Sequence, residues 1–275
     1  MRSSKILYVS DLDGTLLRMD QTLSRFTVDT INSLVERGMI FSYATARSYV
    51  TARRVTQGLS SKIPVIVYNG SFIMENGTDH KLLANFFSAS DAHRILDLLL
   101  AHKIYPIVYS YVDGVERFVY CPQHESPGMK VFQDTRRGDV RDFPVQSTDM
   151  LYQGEIFHFT CIDEAEKLYP LYQVLKDSFP CVYHVDIYSG EQWFEIHPAR
   201  ATKADSVLEL KKMLNCDRVI CFGDAKNDLS MFSLADECYA VANADPELKK
   251  MATAVIGSHE DDSVAKWLLE HYINE

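Results

Sequence analysis

The sequence has neither an excess of positive charge nor a long apolar run, and both absences limit the partners of the protein. Its 275 residues include 28 lysines and arginines against 38 acidic residues, a formal net charge of −10. Because a nucleic-acid backbone attracts basic surfaces and no basic stripe is present, nucleic acid is not an expected partner. No run of 18 apolar residues and no charged-then-apolar leader is found, so we expect a cytoplasmic protein without a membrane partner.

The cysteines show no Cys-x-x-Cys pair, the spacing that is typical of zinc sites and redox-active thiols. Most of the six cysteines lie in apolar runs such as RVICFGD, which favours reduced thiols in a hydrophobic core over disulfides or zinc ligands. No internal repeat or low-complexity segment is present either. With 47% hydrophobic and 24% charged residues, the composition is typical of a globular protein with one large domain or two ordinary ones.

Short apolar runs alternate with helical patterns near both ends of the chain. Runs without polar interruptions are typical of strands that are buried on both faces, and their alternation with helices favours parallel pairing. The predicted strands lie in KILYV, MIFSYAT and IPVIVYNG near the start, and in RVICFGD, CYAVAN and TAVIG near the end. We therefore predict a Rossmann-like, doubly wound parallel sheet of the α/β class, with helices on both faces.

The middle of the chain shows a different pattern. Two β-rich runs flank Asp113-Gly114, a dipeptide typical of a β-hairpin turn. A further strand, EIFHFTCI, and a second strand pair, VYHVDIYSGEQWFEIHP, follow with a helix between them, while residues 134–150 are predicted to be a loop. Antiparallel hairpins between helices indicate a separate α+β unit. We assign residues 1–85 and 198–275 to a core domain and residues 86–197 to an inserted domain.

Polar residues gather where the predicted parallel strands end. Since the carboxyl ends of parallel strands share one edge of a sheet, where ligands of such folds bind, these side chains are expected to meet there. Crowded carboxylates repel one another unless a cation joins them, and oxygen ligands suit Mg²⁺. We therefore expect Mg²⁺ and a phosphoryl group held by Lys203 and Thr45, whereas Arg47 could bind phosphate or pair with a nearby acid, and we favour the pairing. The strand-end residues are Asp11, Asp13, Thr15, Thr45, Arg47, Asn69, Gly70, Asp224, Asn227 and Asp228.

Asp11 and Asp13 are separated by one residue, and this spacing suits a reaction in two steps. Residues two apart in an extended segment point the same way, so both acids can face one reacting centre, and Gly14 allows a sharp turn beside them. One carboxylate can attack phosphorus and form an aspartyl phosphate, while the other protonates the leaving group and later activates water. Such a reaction needs two acids in different roles, which one carboxylate could not fill.

Four short segments, DLDGT, ATARS, TKADSV and GDAKND, resemble in order and separation the four motifs of the haloacid dehalogenase-like hydrolase superfamily. The large insert between the second and third segments resembles the α+β cap, of the C2 or type IIB kind, of its Cof-type sugar-phosphate phosphatases. The resemblance implies a Mg²⁺-dependent phosphatase that acts on small phosphorylated metabolites through an aspartyl phosphate. An acid at Asp13 favours hydrolysis of a phosphate ester, because dehalogenase-type relatives lack it and P-type ion pumps have threonine there.

The resemblance also implies roles for the catalytic and metal-binding residues. Asp11 matches the nucleophile and a metal ligand, and Asp13 matches the general acid and base, whose backbone carbonyl also reaches the metal. Lys203 matches the lysine that balances the charge of the nucleophile and the phosphate. Asp224 matches a direct Mg²⁺ ligand, and Asp228 matches an acid that holds a metal-bound water or supports the ligands from behind.

The remaining matching residues are implied to bind the phosphoryl group or the substrate. Thr45 matches the hydroxyl that binds the transferring phosphoryl group, Asn227 helps to bind phosphate, and Asn69-Gly70 resembles a loop beside the substrate. Ala46, in the same group, stands where relatives usually have glycine. Since alanine does not adopt a positive φ cheaply, we expect a small adjustment of that loop and no loss of chemistry.

The sequence leaves alternatives to hydrolysis open. The same aspartyl phosphate could pass to a second sugar phosphate, as in a phosphomutase, or the protein could be an inactive, sugar-phosphate-binding regulatory module. A pure interaction protein is disfavoured, because the polar residues gather at strand ends and not on a helix face. Sugar phosphates, nucleotides, flavin mononucleotide and pyridoxal phosphate all fit as substrates, and the oligomeric state is not predicted.

Overall fold

The computed structural model describes residues 4–186 and 190–272, and the chain forms two compact units. Met1–Ala84 and Ala201–Glu275 together make the first unit, and Asn85–Arg200 makes the second. The second unit is therefore an insertion between two sequence segments of the first. The described residues form a five-stranded sheet, a six-stranded sheet and a three-stranded sheet.

The described residues in the first segment of the first unit form five strands and two α-helices. Its strands are β1 Ile6–Ser10, β2 Ile40–Tyr43, β3 Val65–Val67, β4 Phe72–Met74 and β5 Lys81–Ala84, and its helices are α1 Arg25–Glu36 and α2 Tyr49–Val55. Both helices begin after a serine, Ser24 or Ser48, whose hydroxyl accepts a backbone N–H hydrogen bond from the first turn. Such N-caps satisfy donors that the helix itself leaves unpaired.

The second unit is a mostly antiparallel sheet with helices packed against it. Its helices are α3 Ala89–Ala101, α4 Pro127–Asp134 and α5 Ala165–Leu175, and its strands are β6 Ile107–Val112, β7 Val115–Tyr120, β8 Asp142–Pro144, β9 Glu155–Ile162, β10 Cys181–Val185 and β11 Gln192–Ile196. The strand order is β10-β11-β9-β6-β7-β8. Leu96 of α3 and Leu168 of α5 join Phe159 and Phe194 of the sheet in one buried core, so burial of apolar area holds these layers together.

The turn chemistry of the second unit agrees with the sequence, but one predicted loop is wrong in part. Asp113 and Gly114 have φ of 51° and 76°, and two central residues with positive φ define the tight turn that suits a hairpin. Residues 134–150 contain β8, which pairs in parallel with β7, and the unpredicted α4 precedes them. Because β8 is three residues long and its partner is remote in sequence, no local pattern indicates it. The second strand pair is present as β10 and β11, and residues 187–189 between them lie outside the described residues.

The final segment completes a parallel sheet with β1 and β2. It contains α6 Lys203–Met213, β12 Arg218–Gly223, α7 Leu229–Leu234, β13 Glu237–Ala240, α8 Pro246–Met251, β14 Ala254–Val255 and α9 Ser263–His271. The sheet order is β14-β13-β12-β1-β2, and each neighbouring pair is parallel. Helix α1 packs with α9, while α6 packs with α7. The predicted Rossmann-like α/β core is confirmed.

The third predicted strand, β3, pairs differently from the expectation. It begins an antiparallel sheet of order β3-β4-β5, and among the described residues a single parallel bridge, from Ala44 to Ile66, links it to the end of β2. The chain reverses after β3 because Tyr68, Asn69 and Gly70 have φ of 50°, 52° and 107°. Positive φ is uncommon for residues other than glycine. The strand propensity of the apolar run therefore did not predict this reversal.

Within residues 4–186 and 190–272, no helix has the length and apolar character that crossing a membrane would require. None of the six cysteines forms a disulfide, and all are buried except Cys181, which is partly buried. Burial raises the pKa of the Cys181 thiol to about 12. The prediction that most of the cysteines lie in the core is confirmed.

Candidate active site

The parallel register places three strand ends side by side in the first unit. Ser10, the last residue of β1, is level with Phe222 of β12 and with the last residue of β2. The N–H group of Asp11 then donates to Phe222 O over 2.9 Å, so the alignment continues one residue beyond the strand. As a result Asp11, Thr45 and Asp224 follow neighbouring strands at one edge of the sheet.

Lys203 joins two carboxylates in a buried cluster. Its Nζ lies 2.5 Å from Asp11 Oδ1 and 2.7 Å from Asp228 Oδ1. Lys203, Asp11 and Asp228 are only 2%, 5% and 0% exposed. Helix α6 begins at Lys203, after Thr202 has capped it by accepting a hydrogen bond from Asp205 N–H. The start of the helix therefore fixes the amine beside the end of β1.

The cluster carries an excess of negative charge. Burial alone would lower the pKa of Lys203, but Asp11 and Asp228 outweigh it and raise that pKa, so the amine stays protonated at neutral pH. Burial raises the pKa of Asp11 well above its usual range, although Lys203 opposes this effect. Burial, followed by repulsion from Asp228, raises the pKa of Asp224 to about 6. A further cation would favour the ionised form of these acids.

The oxygen atoms that a metal ion would need lie close together. Asp11, Asp224 and Asp228 each offer one carboxylate oxygen, and these oxygens lie within 4.8 Å of one another. Asp228 is already engaged, because its Oδ1 accepts from Lys203 and its Oδ2 accepts the N–H groups of Asp224 and Ala225 over 3.0 and 3.1 Å. Oδ2 of Asp11 and of Asp224 has no hydrogen-bond donor among the described residues. These hard oxygen donors fit Mg²⁺.

A tight turn follows β1 and reaches the loop after β12. Asp13 has φ −73° and ψ 122°, and Gly14 has φ 74° and ψ 0°, the values of the two central residues of a type II β-turn. Glycine is required at the second of these positions because of its positive φ and because a Cβ there would collide with the Asp224 carboxylate. The Thr15 hydroxyl then donates to Asp224 Oδ1 over 2.9 Å. The predicted sharp turn at Gly14 is confirmed.

Asp13 forms an ion pair with Arg47 and is more exposed than Asp11. The guanidinium Nε donates to Asp13 Oδ2 over 2.7 Å, and Nη2 donates to Oδ1 over 2.5 Å, a bidentate arrangement. Nη2 also donates to Gln21 Oε1 over 2.8 Å. The predicted pairing of Arg47 with a nearby acid is confirmed. The Asp13 side chain is 43% exposed, so a substrate or a water molecule can reach it.

The loop after β2 holds Thr45 and accommodates alanine. Thr45 is buried, its N–H donates to Ile66 O over 3.0 Å, and its hydroxyl accepts from Arg47 N–H over 3.1 Å. The positive-φ residues of the described chain do not include Ala46. Ala46 stands where relatives usually have glycine, and its methyl group therefore imposes no positive-φ strain on this loop.

The loop after β3 meets the start of α6 and the loop after β12. Asn69 N–H donates to Thr45 O over 2.9 Å, and Asn227 Nδ2 lies 3.5 Å from Asn69 Oδ1. Gly70 O accepts from Ser206 Oγ over 2.9 Å, and a Cβ at Gly70 would collide with the backbone just before α6. All the residues predicted for the site therefore lie in the first unit, at strand ends and at the start of α6, in segments that contact one another.

Two residues with contacts in these loops were not predicted. Ser206 lies within TKADSV, three residues after Lys203, and this helical spacing, which places both on one face, was a signal for it. Gln21, which accepts a hydrogen bond from Arg47, belongs to no motif. Its contact depends on the tertiary placement of the loop before α1, so local pattern alone did not reveal it.

The fold and the site together define an α/β protein with a buried acid cluster at the ends of parallel strands. A family model described as haloacid dehalogenase-like hydrolase matches residues 8–268. This span includes the insert and nearly all of both segments of the first unit. The chain belongs to the haloacid dehalogenase-like hydrolase family.

The chain is similar to known proteins along almost its whole length. A 5-amino-6-(5-phospho-D-ribitylamino)uracil phosphatase of Bacillus subtilis is 24% identical over 285 residues, which cover 99% of each chain. A pyridoxal phosphate phosphatase of Escherichia coli is 24% identical and covers 96% of this chain and 97% of its own. A solved haloacid dehalogenase-like hydrolase of Bacteroides thetaiotaomicron is 20% identical, with a TM-score of 0.75 over 98% of this chain and 100% of its own. That likeness shows a shared fold.

Proposed function

We propose that this enzyme is a Mg²⁺-dependent phosphatase that hydrolyses a small phosphorylated metabolite through an aspartyl phosphate on Asp11. The contact that carries the proposal is the buried Lys203 amine between Asp11 and Asp228. This contact holds a carboxylate nucleophile beside a cation that can bind phosphate. Family membership and the names of the two similar phosphatases support the phosphatase class.

In the first half-reaction, a carboxylate oxygen of Asp11 attacks phosphorus in line with the leaving group. The Asp11 O–P bond forms as the ester P–O bond breaks, and protonated Asp13 gives its proton to the departing oxygen. The Lys203 amine and the Thr45 hydroxyl bind the phosphoryl oxygens and offset their charge. Asn69, Gly70 and Asn227 belong to the loops that would contact the bound substrate. The products of this half-reaction are the alcohol and the aspartyl phosphate.

In the second half-reaction, water attacks the aspartyl phosphate and Asp13 takes the proton of that water. Inorganic phosphate leaves, the Asp11 carboxylate is restored, and Asp13 is protonated again for the next cycle. The bidentate contact with Arg47 suits this half-reaction, because it fixes the orientation of the Asp13 carboxyl group. Asp13 can thus exchange protons while Asp11 remains in the buried cluster.

The carboxylates of Asp11 and Asp224 are the groups that would hold Mg²⁺, with the Asp13 backbone carbonyl as a third ligand. When bound, the ion would supply positive charge that stabilises the phosphoryl oxygens in the transition state. Asp228 supports this arrangement from behind, because its Oδ2 accepts the Asp224 N–H. The Thr15 hydroxyl fixes the other side of Asp224.

The second unit is assigned the role of a substrate-selecting cap. All the proposed catalytic residues belong to the first unit, which supports residues 1–85 and 198–275 as the catalytic core and residues 86–197 as the inserted cap. A cap of this kind would contact the leaving group and exclude water other than the attacking molecule. The choice among sugar phosphates and other phosphorylated metabolites would then depend on the cap.

The direct test is phosphate release from a panel of phosphorylated metabolites in the presence of Mg²⁺. The panel includes sugar phosphates, nucleotides, flavin mononucleotide and pyridoxal phosphate, and purified Asp11→Asn protein serves as the control. Release by the wild type alone supports the proposal and ranks the substrates. Transfer of the phosphoryl group to a second sugar phosphate identifies a phosphomutase, and binding without turnover identifies a regulatory module.

Replacement of Asp13 by asparagine is expected to slow the reaction in a way that depends on the leaving group. General acid catalysis contributes about 10²- to 10⁴-fold, so kcat/KM for an alkyl phosphate should fall by that amount. With p-nitrophenyl phosphate, whose leaving group departs without a proton, kcat/KM should fall far less. Steady-state kinetics with both substrates measure the difference, and an equal loss with both would argue against Asp13 as the general acid.

Binding of Mg²⁺ is expected to weaken as the pH falls through about 6. The pKa of Asp224 without a cation is about 6, so a proton competes with the metal below that value, whereas above it the carboxylate is ionised. From this group alone, apparent affinity should be about tenfold lower at pH 5 than at pH 7.5. Calorimetric titration at the two pH values measures this, with Asp224→Asn as control. Equal affinities in the wild type would contradict the assignment of Asp224 as a ligand.

A further inference from the structure

We infer that Asn243, which lies outside the four motif segments, is a positioning residue for the turn that carries Asp13. The inference rests on the proposed function, because it assigns Asn243 an effect that reaches the reaction through Asp13. Asn243 is solvent-exposed and lies between β13 and α8. The Asn243 side chain therefore has no part in core packing, and its hydrogen bonds are its distinctive feature.

The amide of Asn243 holds the turn at its centre. Asn243 Nδ2 donates to Gly14 O over 2.7 Å. Gly14 is the second central residue of the type II turn, and Asp13 is the first. The peptide group that Asn243 binds leads directly to Thr15, whose hydroxyl donates to Asp224. A single hydrogen bond thus restrains the chain between two residues of the site. Asp13, the proposed general acid and base, precedes Gly14, and Thr15, which contacts the proposed metal ligand Asp224, follows it.

The orientation of this amide is fixed by His259. Asn243 Oδ1 lies 2.8 Å from His259 Nδ1 and accepts from His259 N–H over 3.3 Å. Because an amide oxygen can only accept, His259 Nδ1 must carry the donated hydrogen. The oxygen of the Asn243 amide therefore faces buried His259, and its nitrogen faces Gly14. The amide would lose both contacts if it rotated by half a turn.

The backbone around Asn243 is anchored on both sides. Ala242 N–H donates to Gly257 O over 3.0 Å, and Asp245 N–H donates to Asp224 O over 2.7 Å. The second of these bonds ties the same segment to the loop after β12. Asn243 therefore links the loop after β1, through its side chain, to the loop after β12, through its backbone.

The segment around His259 is also anchored to the chain that follows the turn at Asp13 and Gly14. Glu260 Oε1 accepts from Met19 N–H over 2.6 Å, and Asp262 Oδ2 lies 2.8 Å from Arg18 Nη2. Residues 258–262 therefore contact both Asn243 and the chain a few residues beyond Gly14. This arrangement gives Asn243 a fixed base from which to hold the turn.

Loss of the Asn243 donor is expected to affect proton transfer more than binding. A free Gly14 carbonyl lets the turn sample other conformations, and small misplacements of a catalytic group are costly. Since Asp13 protonates the leaving group, the loss of rate should be greater for a leaving group that needs a proton. A purely structural role would lower the rate for all substrates alike.

The test compares Asn243→Asp with wild type on glycerol 2-phosphate and p-nitrophenyl phosphate. Aspartate keeps the shape but puts an acceptor in place of the amide donor. From the strength of one hydrogen bond, kcat/KM for glycerol 2-phosphate should fall roughly tenfold and that for p-nitrophenyl phosphate by less than about threefold. In an Asp13→Asn background, Asn243→Asp should have no further effect on the ratio of the two rates.

Two sets of variants separate positioning from stability. Asn32 is a matched control, because its Nδ2 donates to Gly58 O over 2.7 Å and its Oδ1 accepts from Ser60 N–H over 2.8 Å. Asn32→Asp should leave the ratio of the two rates unchanged. His259→Asn keeps a donor near the place of Nδ1 and should preserve the ratio, whereas His259→Leu should alter it as Asn243→Asp does.

The outcomes also distinguish this inference from the proposed function. Equal losses on both substrates in Asn243→Asp, or the same change of ratio in Asn32→Asp, would overturn the role of Asn243 alone. A shift of the ratio in Asn243→Asp and His259→Leu, but not in the two control variants, supports it. No phosphate release by the wild type above Asp11→Asn would overturn the proposed function, and this inference with it.

Discussion

Replacement of Asp11 by asparagine is expected to lower turnover by on the order of 10⁴-fold or more while the protein stays folded. Asparagine keeps the size and shape of the side chain but removes the nucleophilic carboxylate, so no aspartyl phosphate can form. Lys203 keeps its contact with Asp228 at 2.7 Å, and the amine is not left unpaired. Since burial already disfavours the ionised form of Asp11, loss of its charge should not destabilise the fold.

Phosphate release and thermal unfolding of the purified variant measure these two effects. Asp29→Asn is a suitable control, because the Asp29 side chain is 68% exposed and its one ion pair among the described residues is with exposed Arg25 over 3.4 Å. It should match the wild type in both measurements. Rapid quenching should also trap a phosphorylated protein with the wild type and none with Asp11→Asn. Turnover near the wild-type rate in Asp11→Asn would exclude Asp11 as the nucleophile.

Replacement of Lys203 by methionine is expected to remove both activity and stability. Methionine fills a similar volume, but it leaves the buried carboxylates of Asp11 and Asp228, which have oxygens within 4.8 Å of each other, without the amine that joins them. Removal of one partner from a buried ion pair typically lowers the free energy of unfolding by about 3–5 kcal/mol. Turnover should fall as well, because the phosphoryl oxygens lose a positive charge that stabilises the transition state.

A second substitution separates these two effects. In Lys203→Met/Asp228→Asn, one of the opposed carboxylates is neutral, so part of the lost stability should return. Asparagine still offers an oxygen to the N–H groups of Asp224 and Ala225 that Asp228 Oδ2 accepts. Turnover should stay low, because no cation replaces the amine. Denaturant unfolding and phosphate release measure the pair, and recovery of turnover in the double variant would contradict the role of Lys203 in catalysis.

The candidate site could largely be predicted from the sequence, because its chemistry lies in short local segments. Asp11 and Asp224 each follow an apolar strand directly, and parallel strands necessarily bring their carboxyl ends to one edge. Lys203 begins a helix that Thr202 caps. The sequence alone also indicated the Asp113-Gly114 hairpin, because only local dihedral angles decide such a turn.

The different hydrogen-bond partners of Asp224 and Asp228 became clear only from the tertiary structure. Asp224 and Asp228 both lie in the segment GDAKND, but the sequence did not indicate which groups each of them contacts. In the fold, Asp228 is committed to Lys203 and to two backbone N–H groups, whereas Asp224 accepts from Thr15. The contacts of Asp224 with Thr15 and of Asp228 with Lys203 join residues 209 and 25 positions apart, so no local pattern contains them.

The sequence by itself determined the polar residues of the candidate site and the strand ends at which they lie, because strand periodicity, helix caps and glycine turns are local properties. Only the tertiary structure decided that β3 leaves the parallel sheet, where the reversal at Asn69 and Gly70 packs against α6. It also decided that Asn243 reaches Gly14 across 229 positions of sequence. Such contacts depend on the packing of distant segments, and packing is fixed by the whole fold and not by any one stretch of the chain.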